Sequence, residues 1–80
     1  MANPETEWII HADWDAGDLN CGELVMELML RMRKLQPGQV MRLVATDPGG
    51  VSDIPAWCRM TGHVLQSMDT ATHVFIIQRN

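Results

Sequence analysis

Cys21 is the residue best suited to covalent chemistry, and it lies in the stretch DLNCGELVM, residues 18–26. A helical pattern of apolar residues begins here, so Cys21 is expected at a helix N-terminus. Unpaired amides and the helix macrodipole favour an anion there, which lowers the pKa of a thiol and increases the fraction of nucleophilic thiolate. Because free cysteine is among the most buried residue types, a packing role for Cys21 is the alternative.

The neighbouring acid and the second cysteine have different expected roles. Glu23 falls in the first turn of the predicted helix, where an acid stabilises the helix end. Cys58 lies in the middle of a second predicted helix, beside Trp57 on its apolar face and away from a helix terminus. We expect Cys58 to be a packing residue, and a role as a possible secondary, resolving thiol is the alternative.

Other kinds of reactive site have little support in the sequence. The histidines His11, His63 and His73 are scattered, and no CxxC or HxxxH ligand pair occurs, so we expect no metal site. The segment ATDPGG, residues 45–50, has neither GxxxxGK[ST] nor GxGxxG, and it predicts a turn instead of a nucleotide-binding loop. No Ser, His and Asp arrangement has a spacing that indicates nucleophilic catalysis.

The first half of the chain predicts a strand, a helix and a second strand. The run EWIIHAD, residues 7–13, suits a strand, and WDAGDLN, residues 14–20, suits a loop. Asn20 is expected to cap the helix that begins at Cys21 and stops at QPG, residues 36–38. The apolar stripe of this helix comprises Leu24, Val25, Leu28, Met32 and Leu35. QVMRLVATD, residues 39–47, predicts a central strand.

The second half predicts a helix followed by two strands. Ser52 or Asp53 is expected to cap the helix, with Pro55 near its first turn and Gly62 as its terminator. On this helix Ile54, Trp57, Cys58 and Thr61 are predicted to share one face. The strands HVLQSMD and THVFIIQR are then expected to follow.

A tight turn at Thr70 and Ala71 is expected between these last two strands. The complete order is βαβαββ, which predicts an α/β (α+β) two-layer sandwich with two helices packed on one face of a four-stranded mixed sheet. Residues 1–6 are expected to be a flexible N-terminus, and residues 7–80 a single domain.

The net charge of −4 and the pI of about 5.1 limit the possible functions. Direct nucleic-acid binding is not expected, because it needs a clustered basic surface. The one basic cluster, Arg31, Arg33 and Lys34, falls at the end of the first predicted helix, where it complements the helix dipole. No signal peptide or membrane-spanning run is recognisable, and two cysteines in dissimilar settings do not indicate a disulfide framework. We therefore expect a cytoplasmic protein.

Three stretches resemble the TusA/SirA family of small sulfur-carrier proteins. They are Cys21 after a short Asp-containing loop, QPG at residues 36–38, and ATDPGGVSDIPAWCRMTGHVL at residues 45–65. With VFIIQR, the resemblance covers nearly all of the chain from about Trp8 onward. The family implies a two-layer α/β sandwich whose first helix presents one cysteine at its N-terminus. By position, Cys21 matches the residue that carries sulfur as a persulfide, and no metal or organic cofactor is implied.

The resemblance also implies partners. The family cysteine accepts a sulfane sulfur from a cysteine desulfurase or from a rhodanese-like or DsrE-like protein. It passes the sulfur to an acceptor protein in tRNA thiolation, cofactor synthesis or sulfur oxidation. The chain is accordingly interpreted as a sulfurtransferase with Cys21 as carrier and with the amides of Gly22 and Glu23 supporting the thiolate. We expect a monomer that contacts neither nucleic acid nor membrane.

The residues around Cys21 depart from the family signature, which is Cys-Pro-x-Pro with a Gly usually three residues before the Cys. Here Gly22 and Leu24 replace the prolines and Asp18 replaces that Gly. Proline fixes φ and has no N–H, whereas Gly22 supplies a donor and more freedom. One hypothesis is sulfur transfer with a different donor or acceptor. The alternative is a TusA-like binding or regulatory module that has lost transfer, and a redox protein that pairs Cys21 with Cys58 is a third reading.

Overall fold

The computed structural model describes residues 8–80, which form four strands and two helices. The elements are β1 (Ala12–Gly17), α1 (Cys21–Met32), β2 (Val40–Ala45), α2 (Gly50–Thr61), β3 (Val64–Asp69) and β4 (Val74–Gln78). The predicted βαβαββ order is confirmed. The prediction of a flexible segment at residues 1–6 lies outside the described residues.

One mixed sheet contains all four strands, in the order β1-β2-β4-β3. β1 runs parallel to β2, from Ala12 opposite Met41 to Gly17 opposite Ala45. β4 lies antiparallel between β2 and β3, so β2 and β3 point in the same direction. Each helix therefore connects two parallel strands and runs back across the sheet against them. The N-termini of α1 and α2 consequently lie at the same edge of the sheet.

Both helices pack on one face of the sheet, as predicted. The stripe of α1 is confirmed, since Leu24 and Leu28 have no exposed surface and Val25 is partly buried against the same core. The helices, the sheet and the segment after α1 contribute these buried residues to the core: Leu24, Leu28, Met32, Leu35, Ile54, Trp57, Cys58, Ala16, Met41, Leu43, Ala45, Phe75 and Ile77. This packing holds the start of α1 in a fixed position over the sheet.

The chain that precedes β1 lies against the opposite face of the sheet. Trp8 and Ile10 pack on a second cluster that includes Val40 and Ile76. The His11 amide donates to the Val40 carbonyl (2.9 Å), and the Val40 amide donates to Nδ1 of His11 (3.0 Å). Trp8 and Ile10 therefore cover this face of the sheet, whereas Ile9 between them is exposed.

The predicted position of the first strand, residues 7–13, is wrong. β1 begins at Ala12 and includes the first four residues of the predicted loop, 14–20. Inward-facing residues alternate with exposed acids along β1 in the order Ala12, Asp13, Trp14, Asp15 and Ala16. This alternation is the pattern of a strand with one buried face. In the denser apolar run before it, Trp8 and Ile10 are partly buried for a different reason, because they cover the outer face.

α2 begins earlier than predicted. Its N-cap is Gly49, whose residue type provides no side-chain cap, and the predicted caps Ser52 and Asp53 lie inside the helix. Asp47 organises the turn instead, because its Oδ2 accepts from the Gly49 amide (3.0 Å). Pro55 is thus the sixth helical residue, where its missing N–H removes one helical hydrogen bond.

The connection between β3 and β4 is longer than the predicted two-residue turn. Four residues, 70–73, separate the strands. Oδ1 of Asp69 accepts from the amides of Ala71 (2.9 Å) and Thr72 (3.3 Å). His73 has a φ of 62°, in the left-handed region. The Asp69 side chain therefore replaces the backbone pairing expected of a tight hairpin.

The ends of the two helices differ. α1 ends at Met32, before the predicted stop at QPG. The prediction that Gly62 terminates α2 is confirmed, because Gly62 adopts φ 85° and its amide donates to the Cys58 carbonyl. Neither helix of the described residues, at 12 residues each, is long and apolar enough to cross a membrane.

The stability of this fold is expected to depend on pH through His63. Its ring lies 5.2 Å from that of Trp57, and its Nδ1 accepts from the Asn80 amide (3.1 Å). Burial, and then the charge of Arg79, lowers the pKa of His63 below its ordinary value of 6.5. The unfolded chain therefore binds the proton more readily, so the free energy of unfolding should fall as the pH drops from about 6.5 through the lower folded-state pKa.

Urea unfolding at several pH values between 5 and 7.5, beside His63→Asn, checks this prediction. An asparagine can accept the Asn80 amide without titrating, so the variant should show a smaller loss of stability in the acid range. Equal pH dependence in both proteins would contradict the role of His63.

Candidate functional site

Cys21 is the first residue of α1, as predicted. The chain leaves β1 through Gly17, whose φ of 60° is a conformation that favours glycine. Oδ1 of Asp15 accepts from the Gly17 amide (2.9 Å). The Gly17 carbonyl accepts from both the amide and the hydroxyl of Thr46, each at 2.9 Å. These bonds tie the loop before Cys21 to the carboxyl ends of β1 and β2.

Asn20 caps α1, which confirms a second prediction at this end. Its backbone is extended, with φ −70° and ψ 164°. Its Oδ1 accepts from the Glu23 amide (3.2 Å), and its carbonyl accepts from the Leu24 amide (2.8 Å). The amides of Cys21 and Gly22 have no acceptor within a helix that starts here. Of the two predicted supporting amides, that of Glu23 is thus already used by the cap.

Gly22 and Glu23 are both exposed at the start of α1. A Cβ added to Gly22 would meet only Oδ1 of Asn20, at 3.6 Å, which is an ordinary contact distance. The space at Gly22 is therefore open to solvent, and the backbone there does not require glycine.

Two cavities flank α1. One, the α1–α2 groove, has a volume of about 270 Å³ and a mainly apolar lining of Gly22, Val25, Asp53, Ala56, Trp57 and Met60. The other, the β1–α1 cavity, has a volume of about 300 Å³ and is lined by Trp14, Leu19, Glu23, Met26, Glu27 and Arg31. Gly22 and Glu23 belong to different cavities, so the residues after Cys21 face both sides of α1.

A cation–π pair organises the β1–α1 cavity. The guanidinium carbon of Arg31 lies 4.3 Å from the centroid of the Trp14 ring, and its Nε lies 3.7 Å from Oε2 of Glu27. The sequence predicted only that Arg31 complements the helix dipole, and it lies in the last turn of α1 as that requires. The pairing with Trp14 was missed, although the alternation along β1 would have placed Trp14 on the helix side.

Cys58 lies on the inner face of α2, where 3% of its surface is exposed. Burial raises the pKa of the Cys58 thiol to about 11, although the charge of Arg59 opposes the shift. A thiol that stays protonated and out of solvent reacts slowly. This environment favours the packing role that was predicted for Cys58.

The chain is similar over nearly its whole length to proteins of one family. The family described as "Sulfurtransferase TusA" matches residues 13–79. "Sulfur carrier protein TusA" of Pseudomonas fluorescens (strain SBW25) is 38% identical over 82 residues, which cover 100% of this chain and 98% of that protein. The protein of the same name from Pseudomonas entomophila (strain L48) is 40% identical over 76 residues, covering 92% and 95%.

A further relative of that name, from Pseudomonas aeruginosa (strain LESB58), is 39% identical over 72 residues, which cover 88% of this chain and 91% of the relative. The similarity extends through both helices and all four strands. It confirms the resemblance seen in the sequence. The chain belongs to the TusA family of sulfurtransferases.

Proposed function

We propose that this protein is a sulfur carrier that accepts a sulfane sulfur on Cys21 as a persulfide and relays it to an acceptor protein. The observation that carries the proposal is a cysteine as the first residue of α1 in a chain of the TusA family. Relatives with the name "Sulfur carrier protein TusA" support the same role here. The donor is a cysteine desulfurase or a rhodanese-like or DsrE-like protein.

The accepting step is an exchange at sulfur. The Cys21 thiolate attacks the outer sulfur of a donor persulfide, R–S–SH, and a new S–S bond forms on Cys21. The S–S bond of the donor breaks, and its electron pair leaves on the inner sulfur as the thiolate R–S⁻. The proton travels with the transferred sulfur, so no oxidant or reductant is consumed. The rate follows the thiolate fraction and the access to Cys21.

The relay step is the same exchange in the other direction. An acceptor thiolate attacks the outer sulfur of the Cys21 persulfide, and Cys21 leaves as a thiolate. A helix end that stabilises the Cys21 thiolate makes Cys21 both a better attacking group at neutral pH and a better leaving group. One structural feature thus supports both loading and discharge.

The Gly22 amide is the main-chain donor that we assign to the thiolate. The Glu23 amide already donates to Oδ1 of Asn20 (3.2 Å). Glu23 therefore contributes to the stability of the helix end, through its place in the first turn. A proline in the family signature would provide no N–H at this position. The replacement of that proline by Gly22 therefore adds a donor beside Cys21.

Gly22→Pro is expected to raise the pKa of the Cys21 thiol by about one to two units, because a hydrogen bond to a charged group contributes about 1.5–3 kcal/mol. Gly22→Ala keeps the amide, and its Cβ has space, so its pKa should match the wild type. The pH dependence of alkylation, measured in a Cys58→Ala background, gives each value. The same pKa in the proline and alanine variants would contradict the assignment to Gly22.

Sulfur loading tests the proposed function. The protein is incubated with a cysteine desulfurase and L-cysteine, or with a small persulfide, and its intact mass and peptide map are recorded. One added sulfur atom on the peptide that contains Cys21 is expected. An unchanged mass with every donor, together with slow alkylation of Cys21, would reject transfer and favour the binding or regulatory module.

A further inference from the structure

The β1–α1 cavity has no role in the exchange of sulfur as described. Along α1 its lining extends from Glu23, two residues after Cys21, to Arg31 in the last turn. Two residues along a helix separate Cα atoms by about 5–6 Å. Side chains two residues apart point to different sides of a helix, so one partner surface laid over the helix end can present a group to the Glu23 end and its persulfide to Cys21.

The charges of this cavity favour a cation at the Cys21 end. Arg31 is engaged by Glu27 and by the ring of Trp14. Within residues 8–80, no ion pair involves Glu23. Two carboxylates against one guanidinium leave the lining with one net negative charge, and the unpaired carboxylate is the one nearest Cys21.

The walls of the cavity suit the stem of a long basic side chain. Leu19 is half-buried, Met26 is 62% exposed, and the ring of Trp14 is partly buried against the core. Lysine and arginine lay their aliphatic stems along apolar surface and keep the charged head near polar groups. The apolar walls of the cavity match the aliphatic stem of such a side chain, and the unpaired carboxylate of Glu23 matches its charged head.

We propose that the β1–α1 cavity receives a lysine or arginine side chain of the protein that exchanges sulfur with Cys21, next to that protein's persulfide cysteine. This inference rests on the proposed function. The partner's cation enters beside Glu23 while its persulfide meets Cys21, so the contact orients the two reacting sulfurs. The chain's net charge of −4 attracts a basic protein surface and repels a nucleic acid.

A pair of synthetic persulfide peptides tests the inference with a donor of defined sequence. One carries lysine near its cysteine persulfide, and the other carries norleucine, which has a similar length without the charge. The lysine is placed in turn at each of the first three positions after the cysteine. Wild type should load from the best lysine peptide about fivefold faster than from its norleucine counterpart.

Glu27→Gln and Asp13→Asn provide the matched comparison, because each removes one negative charge. Glu27→Gln brings the net charge of the cavity lining from −1 to zero, so the ratio of the lysine to the norleucine loading rate should fall toward one. Asp13 is exposed and bonds to Arg42 at 2.8 Å on the outer face of the sheet, so Asp13→Asn should retain the preference. Both variants should load equally well from the norleucine peptide.

The possible failures are distinguishable. Equal loading from both peptides in wild type, or a preference that Glu27→Gln leaves intact, would overturn the cavity assignment alone. A preference that Asp13→Asn removes equally would show a general charge effect and would also overturn it. No loading from any persulfide would reject the proposed function, and the cavity assignment with it.

Discussion

Cys21→Ser is expected to abolish sulfur loading, whereas Cys58→Ala should load one sulfur atom like the wild type. A serine hydroxyl does not ionise at neutral pH and cannot form a persulfide. The Cys58 thiol, with 3% of the residue exposed and a pKa of about 11, is ionised in about one molecule in 10,000 at pH 7. The two cysteines should therefore differ completely in this reaction.

Intact mass after incubation with a persulfide donor, followed by alkylation that traps the persulfide, measures the difference. The circular dichroism spectra of both variants should match that of the wild type. A loss of loading is then caused by the missing thiol and not by unfolding. Loading that survives in Cys21→Ser, or that disappears in a folded Cys58→Ala, would contradict the assignment of the carrier.

Leu28→Ala is expected to lower the free energy of unfolding by about 2–5 kcal/mol, the usual cost of removing a fully buried leucine side chain. Leu28 has no exposed surface and lies in the middle of the stripe that holds α1 on the sheet. A domain of this size has a total stability of about 4–12 kcal/mol. The substitution should therefore remove a large part of the total stability and weaken the packing of α1, the helix that carries Cys21.

Leu30→Ala is the matched control, because Leu30 lies on the same helix but is 44% exposed. Its effect should stay within about 0.5 kcal/mol. Urea denaturation followed by circular dichroism measures both variants. Similar losses in the two proteins would mean that the stripe does not anchor α1 in the way described.

Predictions that rest on neighbouring residues succeeded best. Asn20, three residues before Glu23, and an apolar stripe of period 3.6 determined where α1 begins and which face is buried. Both signals lie within a single helix. The position of Cys21 at the helix start was therefore predictable from about fifteen residues of sequence.

Predictions failed where distant residues decide the structure. Trp8 and Ile10 have the composition of a strand, but they cover a sheet face formed by β2 and β4. The start of α2 depends on Asp47, which holds the Gly49 amide before any of the predicted caps is reached. In each case the local propensity was outweighed by a partner that the pattern does not reveal.

The site was only partly predictable for the same reason. Cys21, Gly22 and Glu23 are consecutive, so their place at the helix start follows from one pattern. The β1–α1 cavity instead joins Trp14 of a strand to Arg31 at the far end of a helix. The contact between Trp14 and Arg31 requires the packing of α1 on β1. It could not be predicted because the first strand was predicted at residues 7–13, which do not include Trp14.

Discharge of the loaded protein tests the central claim most directly. Cys21 is loaded with radiolabelled sulfane sulfur, the donor is removed, and a thiol acceptor such as glutathione is added. A carrier should return to its unmodified mass while the label appears as the persulfide of the acceptor, because the acceptor thiolate attacks the outer sulfur. Label that never loads or stays on Cys21, or a mixed disulfide between Cys21 and the acceptor, would contradict the account.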